Sequence, residues 1–306
     1  CSKLGIHLEE RIFLSQNGGM PDKQPCKIFS WDTLKHYNAI HDDFGPMNVL
    51  SCIKFVETMD KEMRIMREGG EKRLVYCAAP GKRELTNAAY MLGVYMIISL
   101  KLTAQNVADC FQDVHPSLLE NYRDASIDEP NFKISLFDCW RGIEHAKTLG
   151  WFKLPTFHAP FMWGLVDKDA YEHYDNPLNA DLNEVVPRKI VAFRGPKDLA
   201  DGLDFCNKYH NGTFFNRDFG PGYYAKLFKD LGVSTIVRLN SPQYDKRAFT
   251  EHGFEHFDLD FDGRSTPPPQ AVTAFFKIVD KAKGLVAVHG REGLGRPAPP
   301  LALYLV

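Results

Sequence analysis

The segment His289-Gly290-Arg291-Glu292-Gly293-Leu294-Gly295-Arg296 combines closely spaced glycines with arginines, and follows the apolar run Leu285 to Val288. Glycines let backbone N–H groups converge on an anion, and the start of a following helix adds its positive end. An arginine closing such a loop can grip two phosphate oxygens at once. The phosphate-binding candidates are therefore Arg291, Gly293, Leu294, Gly295 and Arg296. Glycine spacing alone also fits a dinucleotide fingerprint or a plain strand-to-helix turn. A second thiol-and-guanidinium pair, Cys77 and Arg83, is also spaced Cys, five residues, Arg. No histidine precedes Cys77, Pro80 removes an N–H donor, and Glu84 at the helix start opposes phosphate, so this copy reads as non-catalytic. His252 and His256 have a helical metal-ligand spacing, but Gly253 interrupts them and no third ligand is near. They read as surface or core histidines, and no metal or organic cofactor is expected.

These residues need strands and helices to hold them. Lys72 to Cys77 reads as a short buried strand, turned at Pro80-Gly81 into a helix from Leu85 to Lys101 that is apolar on nearly every face. Thr103 starts a further helical segment that His115-Pro116 closes. Farther on, Pro187 to Phe193 and Val233 to Leu239 carry strand signals. Pro267-Pro268-Pro269 opens a helix with an apolar face of Val272, Phe275, Phe276, Val279 and Ala282, since prolines suit a first turn. Leu285 to His289 is the strand that feeds the glycine-spaced loop. Alternating strands and helices predict an α/β layer fold.

At 306 residues the chain is long enough for two domains. Its 44% hydrophobic and 25% charged residues exclude wholesale disorder and rod-like folds. With 37 basic against 39 acidic residues, no global field favours nucleic acid or membrane. The longest apolar stretch, Ala88 to Leu100, is too short to span a bilayer. Seven cysteines without a CxxC pair suit reduced thiols in an intracellular protein. The chain opens at Cys1 without methionine, so its true N-terminus is expected to lie upstream.

The His289-to-Arg296 loop resembles the signature of the cysteine-dependent protein tyrosine and dual-specificity phosphatases: His-Cys, five residues, then Arg and Ser/Thr. More narrowly it resembles the cell-division-cycle-fourteen family, whose loop reads His-Cys-Lys-Ala-Gly-Leu-Gly-Arg-Thr-Gly-Thr. Other matching stretches are Asp43-Phe44-Gly45-Pro46, Tyr122-Arg123-Asp124-Ala125-Ser126, Tyr171-Glu172-His173-Tyr174, Val237-Arg238-Leu239-Asn240 and Gly253-Phe254-Glu255-His256. The resemblance implies two tandem dual-specificity-phosphatase-like α/β domains joined by a linker helix. On this chain that gives a non-catalytic domain at 1–165, a linker helix region at 166–186 around Asp169 to Tyr174, and a phosphatase domain at 187–306. The second domain is expected to be truncated, because family members continue past the position of Val306. The resemblance further implies phosphorylated protein partners with Ser/Thr-Pro sites, a place in nucleus and cytoplasm, and peptide-binding carboxylates at Glu172 and Asp175 that favour a downstream basic residue.

The departures bear on activity. Gly290 stands where the family has its nucleophilic cysteine, and glycine has no side chain to attack phosphorus. Loss of a nucleophile costs on the order of 10⁶ in kcat in a protease triad, and a comparable loss is expected here. Pro297 replaces the hydroxyl residue that helps the thiolate leave, and Glu292 adds a carboxylate beside the anion. The family's general acid lies in Asp-Gly-Ser-Thr-Pro; here Asp262-Gly263 is separated from Ser265-Thr266-Pro267 by Arg264. Aligning on Asp262 keeps the acid, whereas aligning on Ser265 puts Gly263 in its place. The reading is a pseudophosphatase limited to phosphopeptide binding. The alternatives are an active dual-specificity phosphatase whose loop is misrepresented in this sequence, and a truncated product without specific function.

Overall fold

The computed structural model describes residues 4–7, 11–19, 25–32, 37, 39, 42–123, 132–210, 213–261, 266–290 and 297–305. The chain divides into two compact units, Cys1–Lys168 and Asp169–Val306.

In the first unit, β1 (Leu4–His7), β2 (Ile12–Gln16), β3 (Cys26–Ser30), α1 (Val49–Glu68) and β4 (Arg73–Ala78) come first, followed by α2 (Lys82–Ile98) and α3 (Ala104–Cys110). The short pair β5 (Tyr122–Arg123) and β6 (Lys133–Ile134) precedes α4 (Leu136–Thr148), and β7 (Met162–Trp163) pairs with β8 (Val166–Asp167). The sheet order is β1-β2-β4-β3, with β4 parallel to both β2 and β3. Two parallel neighbours bury β4 from both edges, and its centre, Leu74 to Tyr76, is fully buried. The strand expected over Lys72 to Cys77 is this element.

Helix α2 follows from its composition. Every residue from Leu85 to Ile98 is buried, so it is enclosed on all sides rather than amphipathic. Gly93 makes room for Trp140 of α4, whose indole Nε1 donates to the Tyr90 carbonyl at 3.2 Å. The expected start at Thr103 is a reciprocal cap: Asn106 N donates to Thr103 Oγ1 at 3.1 Å, and Thr103 N donates to Asn106 Oδ1 at 3.3 Å.

Helix α5 (Lys168–Asp175) stands at the boundary between the units, and the second unit continues with β9 (Leu182–Val186) and β10 (Ile190–Phe193). Then come β11 (Phe205–His210), β12 (Thr213–Phe219), α6 (Pro221–Leu231), β13 (Val233–Arg238), α7 (Arg247–Thr250) and β14 (Glu255–Asp258). The described part ends with α8 (Pro269–Lys281), β15 (Leu285–His289) and α9 (Ala298–Leu305). The sheet order is β14-β13-β15-β10-β9, parallel except for β9. The strand drawn from Pro187 begins at Ile190, because residues 187–189 form the hairpin turn between β9 and β10, with Arg188 at φ +59°. Residues 182–186, assigned to the linker from sequence, are the edge strand β9 of this sheet.

The proline-rich start after the loop is absorbed by α9. Leu301 N donates to the Pro297 carbonyl at 3.1 Å. Pro299 and Pro300 thus occupy first-turn positions whose N–H groups would have had no intrahelical partner. Helix α9 packs on α8 through Tyr304, whose ring lies 5.5 Å from Phe276.

Gly93 tests the packing of the first unit. Alanine is the better helix former by about 1 kcal/mol, yet a Cβ there would run into the Trp140 indole. Gly93→Ala is expected to destabilise by about 1–3 kcal/mol, the usual cost of overpacking. Urea unfolding followed by tryptophan fluorescence checks it, and a stabilised variant would contradict the packing.

Candidate functional site

Parallel strands present their C-terminal ends together, and ligands of open α/β sheets bind outside those ends. In the second unit the strand register sets Asp258, Arg238, His289 and Phe193 side by side across β14, β13, β15 and β10. Gly290 follows His289 directly and is buried. The six residues Arg291, Glu292, Gly293, Leu294, Gly295 and Arg296 lie outside the described residues, as does Asp262. Their attachment points are described, and both leave the same edge of the sheet: the loop at Gly290 from β15, and the stretch ahead of Asp262 from β14.

His289 is fully buried, and burial pushes its pKa down to about 3, so its ring is neutral at pH 7. Its partners then decide where the single proton sits. Nδ1 lies 2.9 Å from the Gly290 carbonyl, which can only accept, so Nδ1 carries the hydrogen. Nε2 is left as an acceptor, 2.8 Å from the Tyr244 hydroxyl, which donates to it. The Tyr244 oxygen in turn accepts from His256 Nε2 at 2.8 Å. One directed chain therefore runs His256 to Tyr244 to His289 to the Gly290 carbonyl. It commits that carbonyl to the buried imidazole.

Arg238 braces this chain from the next strand. It is 3% exposed, donates through Nε to Asp258 Oδ1 at 2.7 Å and through NH1 to the Tyr244 carbonyl at 2.7 Å, and lies over the Tyr244 ring. His256 Nδ1 has no hydrogen-bond partner and stands 3.8 Å from Asp258 Oδ1. Burial lowers the pKa of His256 to about 4. His256 is thus committed to Tyr244, while His252 is exposed. Among the described residues no group of three or more His, Cys, Asp or Glu side chains comes together as metal ligands.

Of the two expected peptide-binding carboxylates, Glu172 is exposed on α5. Asp175 is half-buried, bonded to Asn183, and burial raises its pKa. Asn183 pairs with Ala192 at the start of β9, so Asp175 reaches the same sheet edge as Gly290, two strands away. Strands β9 and β15 themselves lie about 10 Å apart at ordinary strand spacing. Tyr244 went unnoticed in the sequence, because a tyrosine in a turn, 45 residues from His289, carries no local signal.

The corresponding place in the first unit has the opposite polarity. After β4, the loop turns the Ala79 and Gly81 carbonyls onto Gln16 Nε2, at 2.6 and 2.8 Å. A phosphate nest needs N–H groups pointing in, whereas this loop points carbonyls in and Gln16 fills it. Burial raises the pKa of Cys77, so it is no ready thiolate. Arg83 is gripped by Asp42 and Glu120.

The buried histidines set a pH dependence. They bind protons near pH 6.5 in the unfolded chain but only near 3 and 4 in the fold. Their contribution is therefore complete above about pH 6.5 and is lost as pH falls towards 4 and 3. Each adds a slope approaching about 1.4 kcal/mol per pH unit inside that window. Denaturant unfolding between about pH 6 and pH 5 should show His256→Asn losing about one proton's worth of slope. An unchanged slope would refute the neutral assignment of His256.

Comparison with known proteins places this geometry. Residues 7–146 match the family model described as "Dual specificity protein phosphatase, N-terminal half". The chain is 32% identical over 280 residues to the human dual specificity protein phosphatase CDC14C, covering 91% of this chain and 58% of that protein. It is 33% identical over 302 residues to mouse CDC14A, covering 98% of this chain and 46% of that protein. Against the tyrosine-protein phosphatase CDC14 of Saccharomyces cerevisiae it is 29% identical over 304 residues, covering 98% of this chain and 52% of that protein. The chain spans about half the length of these relatives. Among the described residues no helix is long and apolar enough to cross a membrane. With a mixed α/β fold and a dual-specificity-phosphatase-like N-terminal part, the chain is similar over most of its length to the CDC14 dual-specificity protein phosphatases.

Proposed function

We propose that this protein binds phosphorylated segments without hydrolysing them. The observation that carries the reading is Gly290, a residue without a side chain at the C-terminal end of the central strand, where the family attacks phosphorus. Binding and transition-state stabilisation are separable, so a loop without its thiolate can still hold a dianion, and it brings no competing negative charge. In this reading Arg296 and the backbone of residues 291–295 hold the phosphate, and Asp262 is at most a vestigial acid. Residues 1–165 act as a non-catalytic relative of the second domain, in keeping with the carbonyl-lined loop after β4. The ligand is a phospho-Ser/Thr-Pro segment with a Lys or Arg downstream, attracted by Glu172 on α5. Asp175 contributes less, because burial favours its neutral form.

Two measurements test the reading. An aryl phosphate should not be turned over, and Gly290→Cys alone should recover little, since Pro297 supplies no hydroxyl to assist release. Hydrolysis by the unaltered chain, surviving Cys77→Ser, would show a nucleophile elsewhere. Calorimetric titration of a phospho-Ser-Pro peptide with a downstream Lys should give heat with the wild type and none with Arg296→Ala, and affinity should fall with salt. Equal heats in both proteins, or none in either, would end the binding reading.

A further inference from the structure

The first unit holds an arrangement of charge that the reading of the Gly290 loop leaves unused. Arg83 donates to both oxygens of Asp42, NH1 to Oδ1 at 2.7 Å and NH2 to Oδ2 at 2.9 Å. Arg123, from β5, donates through NH1 to the same Oδ2 at 2.8 Å. Three N–H donors from two guanidinium groups thus converge on one carboxylate. The Arg83 guanidinium is held from behind by the Phe44 ring, 4.9 Å from its centroid, and by Glu120, which accepts from Nε at 3.1 Å and lies 3.0 Å from NH2. Phe44 and Arg123 are themselves tied together, because the Phe44 ring packs on Tyr122 at 5.1 Å and Tyr122 adjoins Arg123. Asn87 joins the same elements, donating to the Phe44 carbonyl at 2.8 Å and accepting from Tyr122 at 2.9 Å. The two arginines are therefore positioned by buried packing, whereas the carboxylate they share is 56% exposed.

We propose that Arg83 and Arg123 form a second oxyanion site, of the class that takes a phosphate dianion or a phosphomonoester, and that Asp42 is its built-in occupant. Paired guanidinium groups offering three donors suit the tetrahedral oxygens of phosphate better than the two oxygens of a carboxylate. The held partners, Phe44 and Glu120, keep Arg83 in place when Asp42 is absent. The loop after β4 takes no part, since its carbonyls face Gln16. The proposal does not depend on Gly290 or on Arg296.

The test uses the full chain in an Arg296→Ala background, so that binding in the second unit cannot supply the signal. Inorganic phosphate and O-phosphoserine are titrated separately into this parent and into parent plus Asp42→Ala, with Asp42→Asn as a second opening variant. Affinity should rise about tenfold or more when Asp42 is removed, and the gain should vanish on adding Arg123→Ala. A gain with both ligands assigns the site to the phosphate group itself, and a gain confined to phosphoserine assigns it to a monoester. In the wild type, phosphate should shift the Arg83 Nε–H resonance more than chloride of equal ionic strength does. Folded opening variants without a gain, a gain that survives Arg123→Ala, or, should neither variant fold, an Arg83 resonance that responds equally to both salts, would each overturn the proposal.

Discussion

Burial of an imidazole favours its neutral form and a partner for each ring nitrogen, and His289 has both. Much of the second unit's site edge follows from that. The Gly290 carbonyl must accept from Nδ1, which sets the direction in which the chain leaves β15. Tyr244 must donate to Nε2, which ties down the turn between β13 and α7. His256 must then donate to Tyr244, which fixes β14. Three strand ends are thereby held in register by one proton pattern, with Arg238 and Asp258 closing the row. The loop residues that would touch a ligand are attached to this frame.

The two units make an instructive contrast, since each has a buried strand between parallel neighbours running into a loop and a helix. Counting residues from Cys77 to Arg83 suggests the same site twice. Electrostatics separates them. In the first unit the loop carbonyls turn inward and a glutamine amide satisfies them, while the arginine is saturated by carboxylates. An anion would meet oxygen atoms there rather than N–H groups. The first unit has instead turned its arginines outward to a surface carboxylate.

In the proposed reading, glycine at position 290 removes the chemistry while the described scaffold around it stays in place. The central strand, the histidine before position 290 and the proline-started helix after the loop are in place with no side chain at that position. On that reading, what is lost is the one atom that would form a bond to phosphorus. Ground-state recognition and bond making draw on different groups of the same site, so substitution at one position can divide them.

The sequence by itself determined the elements whose character is local. A helix apolar on every face had to be enclosed, as α2 is; prolines had to fall in a first turn, as in α8 and α9; and an apolar run before the glycines had to be a buried strand, as β15 is. The same local reading recovered a helix around Asp169 to Tyr174 and the cap at Thr103. The likeness to a phosphatase family was also written in contiguous motifs. Tertiary structure alone decided the rest. Residues 182–186 alternate too weakly to announce an edge strand, and only pairing with β10 makes them one. Gln16 meets the loop after β4 across more than 60 positions of sequence, and Tyr244 joins His256 and His289 across 12 and 45. Such contacts leave no period and no spacing in the chain. They exist because burial forces each polar atom to find a partner, and which partner is in reach is settled only when the strands have packed.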